Sequence, residues 1–187
     1  MINLNIQEIK AYVIDKLREN KVEDYNLKAK LLICNTINKP KEYLIIHDKE
    51  ELNEGQELEI KNNINKILEG YPVQYIINNQ KFMGLDFYVN ENVLIPQPDT
   101  EILVEETIGI TKNIIKARVL DLCTGSGAIA IALKHSMEEK EVEIFASDIS
   151  VEALKVAKIN AEKSNTKIKF IKSDLFENIE EKFDIIV

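Results

Sequence analysis

Apolar residues near the start of the chain recur with a helical period. Ile2, Ile6, Ile9, Val13 and Leu17 follow at spacings of four, three, four and four, which places them on one helical face. A second helix is predicted over Leu27 to Ile37. It ends before Lys39-Pro40, because a residue preceding proline is driven out of the helical region. A short third helix fits Lys41 to His47. A fourth carries Ile60, Ile64, Ile67 and Leu68 and stops at Gly70, with Pro72 just beyond. One apolar stripe per helix predicts a small bundle of about 70 residues, with no catalytic constellation in it.

The period then changes. In residues 81–95, Phe87 and Val89 alternate with polar positions, Asn90-Glu91-Asn92 offers a turn and Val93-Leu94-Ile95 follows, which reads as a β-hairpin. Pro96-Gln97-Pro98 stiffens the exit, and Asp99 and Glu101 suit the positive end of a helix running to about Ile110. Four β-rich runs come next: ARVLDL, EVEIFASD, KIKFIKSD and KFDIIV. Helical patterns over Ala128 to Met137 and Val151 to Ser164 separate the first three. Strands alternating with helices predict right-handed crossovers and a parallel sheet, so the fold class is α/β. The expected organisation is a helical bundle over 1–72, a linker with a β-hairpin over 73–98, and a Rossmann-like sheet region over 99–187.

Composition narrows this only a little. The 187 residues are 45% hydrophobic and 30% charged, ordinary for a globular protein, and no apolar run reaches the roughly 18 residues of a membrane span. The first twenty residues are charged and periodic, unlike a signal peptide. With 24 Lys and Arg against 32 Asp and Glu, broad electrostatic binding to nucleic acid is disfavoured. Cys34 and Cys123 suggest no disulfide framework, and with only His47 and His135 besides, no metal site of recognisable spacing can be built. Both histidines are expected on helix surfaces, and the reducing cytoplasm is the expected compartment.

The chemistry gathers where the strands end. Val119-Leu120-Asp121-Leu122 runs into Cys123-Thr124-Gly125-Ser126-Gly127 and then a helix. Glycines there let a ligand approach the backbone, and a helix N-terminus offers free N–H groups. The second strand ends at Asp148, where a carboxylate can take ribose hydroxyls, although Ser150 or Asp148 could simply cap the following helix. The third ends at Ser173-Asp174-Leu175-Phe176. Gly125, Gly127, Asp148 and Asp174 should therefore converge on one crevice. Gly125 to Ala130 satisfies GxGxxA, the dinucleotide fingerprint. Against a pyrophosphate stands Asp121 at the tip of the first strand. Acids at all three tips suit a cofactor with a cationic reactive end, such as the sulfonium and ammonium of S-adenosylmethionine. Cys123, lacking a flanking base, is expected to be a small buried residue of the loop and no nucleophile.

These stretches together resemble a known family. Gln80-Lys81-Phe82 through Leu94-Ile95-Pro96-Gln97-Pro98-Asp99-Thr100-Glu101 is similar to the segment preceding the methyltransferase domain in bacterial protein-(glutamine-N5) methyltransferases acting on peptide chain release factors. Val119 to Ala130 resembles their cofactor loop. Ser147-Asp148-Ile149-Ser150, Ser173-Asp174-Leu175-Phe176 and Phe183-Asp184-Ile185-Ile186-Val187 follow in the family's order. The resemblance is close over 71–187 and one of kind over 1–70. It departs at Cys123, usually glycine, and at Gln97, usually arginine. The family's Asn-Pro-Pro-Tyr segment and three further strands are not among these residues, so the chain reads as the cofactor-binding half with its helical domain.

The resemblance implies methyl transfer from S-adenosylmethionine to the side-chain amide nitrogen of the glutamine in the release factors' Gly-Gly-Gln motif. It implies that Asp148 grips the ribose, that Gly125 and Gly127 admit the methionine portion beside Cys123, Thr124 and Ser126, and that Asp121 favours the cationic end directly or through water. Asp174 and Leu175 would border the adenine, no catalytic residue would lie in this chain, and the bundle would dock the release factor. The chain by itself would bind cofactor weakly and transfer nothing. A monomer, with no direct nucleic-acid or membrane partner, is expected of the full-length protein. A dinucleotide-binding oxidoreductase, a plain nucleotide-binding module, and a methyltransferase for another protein glutamine or amino group are the alternatives.

Overall fold

The structure, a computed structural model, describes residues 4–111, 114, 116–137 and 141–187. The chain divides into two compact units, Met1–Ile77 and Asn78–Val187.

The first unit is helical: α1 (Ile6–Glu19), α2 (Tyr25–Ile37), α3 (Tyr43–Ile46), α4 (Glu54–Leu68) and α5 (Val73–Ile76). The stripe read from the sequence is the buried face of α1, with Ile6, Ile9, Val13 and Leu17 each at most 2% exposed; Ile2 lies outside the described residues. Capping boxes start both long outer helices. Asn5 and Glu8 exchange side-chain-to-backbone bonds at the head of α1, and Asn53 and Gln56 do so at α4. Helix α2 ends at Asn38 in the left-handed conformation, where the Lys39 N–H returns to the Cys34 carbonyl at 3.1 Å. The same device closes α4 at Gly70 (φ +90°). The helix expected over Lys41 to His47 shrinks to a single turn. Its start is taken up by a turn from the Tyr43 N–H to the Pro40 carbonyl, and another runs from Glu50 to His47.

The second unit opens with the hairpin β1 (Gln80–Phe82) and β2 (Leu85–Phe87). Its turn is Met83-Gly84, not Asn90-Glu91-Asn92 as the pattern suggested, and Val93-Leu94-Ile95 is not a strand. Both turn residues have positive φ, +50° and +75°, as a two-residue hairpin loop demands. The unfavourable Met83 conformation is held by Glu101, whose Oε1 accepts the Met83 N–H at 2.7 Å. Asn90 does make a turn, accepting the Asn92 N–H, but Pro96 and Pro98 beyond it have no N–H for a ladder.

Helix α6 (Thr100–Thr111) leads to the sheet: β3 (Lys116–Leu122), α7 (Ala128–Ser136), β4 (Glu141–Asp148), α8 (Val151–Lys163), β5 (Lys169–Lys172) and β6 (Ile185–Ile186). All pairings are parallel, in the order β5-β4-β3-β6. The α/β class with a parallel sheet is therefore observed. The last two strands are shorter than the apolar runs predicted. β5 is an edge strand whose register with β4 begins only at Lys169 opposite Phe145. β6 begins after Asp184, whose carboxylate accepts the Arg118 N–H at 2.8 Å while its own N–H returns to the Arg118 carbonyl. The Arg118 guanidinium lies against the Phe145 and Phe183 rings, fixing the approach to β6.

Candidate functional site

Strands β3 and β4 are adjacent, and Asp121 stands opposite Ala146 in their register. Their carboxyl ends therefore bring the loop Cys123–Gly127 against Asp148. Both Asp148 oxygens are engaged by backbone: Oδ2 accepts the Gly125 N–H and Oδ1 the Ser150 N–H, each at 2.9 Å. Ser150, not Asp148, caps α8, its hydroxyl accepting the Ala153 N–H at 3.1 Å. Asp148 is half-buried, and each oxygen retains a second acceptor direction for a ligand hydroxyl.

Asp121 plays a different part. It is 1% exposed, and its Oδ2 accepts the Thr124 hydroxyl at 2.6 Å and the Ala130 N–H at 3.1 Å. Burial pushes its carboxyl up to about 6, opposed by those two donors and reinforced by the neighbouring Asp148 charge. This acid lies beneath the loop and ties it to the first turn of α7. The charge argument against a pyrophosphate is thereby weakened, because a buried, partly neutralised Asp121 repels an anion less than an exposed one.

The two loop glycines differ. Gly125 (φ +54°) has nothing within 4 Å of where a Cβ would stand, so the backbone there faces open space. A Cβ on Gly127 (φ +80°) would lie 3.1 Å from Ala157 Cβ and 3.1 Å from Ile131 Cδ1. Gly127 serves the packing of α7 on α8, and Gly125 leaves room for a ligand. Thr124 and Ser126 are buried, so the loop offers a ligand mainly its backbone and the Cys123 side chain. Cys123 is exposed, contrary to the expectation of a small buried residue. Its backbone is left-handed (φ +62°), which turns the side chain out of the strand at the point where β3 ends.

The turn after β5 lies beside Asp148, since the Ser173 N–H donates to the Asp148 carbonyl at 3.1 Å. Asp174 is exposed there, and Leu175 (φ +45°) and Phe176 are 54% and 53% exposed. Asp121, Thr124, Gly125, Asp148, Asp174 and Leu175 are thus gathered at one edge of consecutive strands. His47 and His135 are both exposed. Among the described residues, no cluster of three or more His, Cys, Asp or Glu could hold a metal ion, and no helix is long and apolar enough to cross a membrane. A cleft of about 560 Å³ lies at the opposite ends of the strands, lined by the Lys116–Glu141 and Arg118–Glu143 ion pairs.

Sequence reading missed Asn160. It is 2% exposed on α8, and its amide donates to the Ser126 carbonyl and the Tyr88 carbonyl, both at 2.9 Å, while accepting the Tyr88 N–H at 2.7 Å. The available signal was a polar residue on the apolar face formed by Ala153, Ala157 and Ala161.

Residues 98–187 match the methyltransferase small domain, and residues 8–77 match the PrmC N-terminal domain. A release factor glutamine methyltransferase of Clostridium acetobutylicum is 39% identical over 96% of this chain, which spans 63% of that protein. One from Haemophilus influenzae is 33% identical over 98% of this chain, here spanning 67% of the relative. The chain thus covers about three fifths to two thirds of the length of these relatives. A 16S rRNA methyltransferase of T. thermophilus superposes on 58% of this chain and 30% of its own at TM-score 0.48 and 23% identity, too little to bear on the assignment. A PrmC N-terminal domain followed by a methyltransferase small domain, with 33–39% identity along nearly the whole of this chain to release factor glutamine methyltransferases, makes this chain a member of that family.

Proposed function

We propose that the crevice at the ends of β3, β4 and β5 binds S-adenosylmethionine. The protein would then methylate the side-chain amide nitrogen of the Gly-Gly-Gln glutamine in peptide chain release factors. The observation that carries the reading is the pairing of Gly125 with Asp148. A left-handed glycine facing open space lies hydrogen-bonded to a half-buried carboxylate that retains acceptor capacity for ribose hydroxyls. The names of the relatives supply the reaction and the substrate class.

S-adenosylmethionine, when bound, supplies an activated methyl on a sulfonium. The work of these residues is to hold and orient. Asp148 takes the ribose hydroxyls, and the Gly125 backbone admits the methionine portion. Cys123, Thr124, Ser126 and Gly127 form the loop around it. Asp121 keeps that loop in shape from below, so its influence on the cationic end passes through the loop. Asp174 and Leu175 border the adenine. An amide nitrogen is a poor nucleophile because its lone pair is delocalised, so catalysis here is chiefly positioning. The helical unit, residues 1–72, docks the release factor, residues 73–98 link it, and residues 99–187 hold the cofactor. These 187 residues, which contain no Asn-Pro-Pro-Tyr, would by themselves bind the cofactor weakly and transfer no methyl.

Calorimetry with S-adenosylhomocysteine and with NADH tests the crevice. Intact mass and peptide mapping of a release factor incubated with S-adenosylmethionine test the reaction, the C. acetobutylicum relative serving as comparator. The expected result is homocysteine-ligand binding without NADH binding, and one added methyl at the Gly-Gly-Gln glutamine with the relative only. Tighter binding of NADH overturns the reading in favour of a dinucleotide enzyme. Methylation at a different residue or of a different protein overturns the substrate.

A further inference from the structure

Every polar atom of the Asn160 side-chain amide is committed, and to two separate pieces of chain. One Nδ2 proton goes to Ser126, between the two left-handed glycines of the loop. The other goes to the Tyr88 carbonyl, and Oδ1 takes the Tyr88 N–H. The amide is planar and the residue 2% exposed, so neither end can shift without loss at the other, and water has little access to replace a lost bond.

Tyr88 begins the segment that leaves the hairpin. From there the backbone is fixed by a succession of local bonds. Asn78 donates to the Val89 carbonyl, Val93 to the Asn90 carbonyl, Thr100 to Gln97 and Glu101 to Pro98. Glu101 then returns to the hairpin turn at Met83. The segment is held by its own bonds, and Asn160 joins it to the loop beside Asp148 by hydrogen bonds to Tyr88 and Ser126.

We propose that Asn160 is a positioning residue that couples occupation of the cofactor crevice to the conformation of the Tyr88–Pro98 segment. This rests on the reading of the crevice as a cofactor site. A ligand seated on Gly125 settles the adjoining Ser126 carbonyl, and the Asn160 amide carries that order to Tyr88. By linkage, a protein substrate that orders Tyr88–Pro98 tightens cofactor binding by the same factor.

The test uses the 187-residue chain with S-adenosylhomocysteine as probe. Calorimetry first establishes binding to the wild type. Hydrogen exchange then follows the Tyr88 and Gly125 amides with and without the ligand. Saturation is expected to slow Tyr88 exchange about tenfold. Slowing at Gly125 with no change at Tyr88 overturns the coupling. Asn160→Ala is expected to weaken binding about tenfold, whereas Val156→Ala, equally buried on the same helix, leaves it unchanged. Equal weakening in both variants shows a purely structural role and also overturns the proposal. If Asn160→Ala does not fold, the wild-type exchange measurement decides. Absence of binding to the wild type removes the cofactor reading itself, and the coupling with it.

Discussion

Asp148 reaches across from β4 to hold Gly125, its Oδ2 accepting the backbone N–H at 2.9 Å. One carboxylate thus shapes the loop and faces the space above it. Asp148→Ala should remove a charge-assisted bond of about 1.5–3 kcal/mol. The expected outcome is S-adenosylhomocysteine binding weakened by about tenfold to hundredfold, read by calorimetry. Gly125 amide exchange should quicken even without ligand.

The loop glycines should separate stability from binding. Gly127→Ala meets both a left-handed backbone and two side chains at 3.1 Å, and is expected to cost about 2–4 kcal/mol in urea unfolding. Gly125→Ala meets no neighbour and should cost about 1 kcal/mol or less, since the added methyl restricts the unfolded chain and offsets part of the strain. It should nonetheless weaken ligand binding, because the methyl occupies the approach.

Cys123 is a side chain where the backbone (φ +62°) favours glycine. Cys123→Gly relieves about 1–2 kcal/mol of strain but frees the unfolded chain, for a net gain of about 0.5–1 kcal/mol. Urea unfolding under reducing conditions measures it. Cys123→Val, β-branched, should destabilise instead.

Asp121 gives stability a pH signature. Its folded value of about 6 stands above the ordinary 3.8, so the folded state holds the proton more tightly. This contribution is fully present below the unfolded value and is lost as pH rises through about 6, a change of about 2–3 kcal/mol. Asp121→Asn keeps an oxygen for Thr124 and Ala130 and does not titrate. The stability of the wild type relative to this variant should therefore fall between about pH 4 and pH 7. A difference that stays flat across that range counts against a buried, titrating Asp121.

What the sequence disclosed was what local pattern controls. The stripe Ile6, Ile9, Val13, Leu17, the strand tips at Asp121 and Asp148, and the Ser150 cap all depend on near neighbours and were legible. The alternating pattern marks a hairpin but not its turn. Met83 tolerates φ +50° with the help of Glu101, eighteen residues on, and no local signal announces that bond. The residue type of Cys123 points to the interior, whereas the turn that ends β3 directs it outward. Asn160 stayed hidden because its partners are backbone atoms 34 and 72 positions away, which carry no side-chain signature.

The strand order has a kinetic consequence. β3 is the first strand of its sheet along the chain yet lies inside it, and one of its edges waits for residues sixty-six positions downstream. Closing so long a loop costs entropy before any ladder bond repays it. The β3-α7-β4 unit can assemble early, leaving the far edge of β3 open to solvent until Asp184 reaches Arg118. A chain leaving the ribosome would pass through an interval in which that open edge is free to pair with another strand.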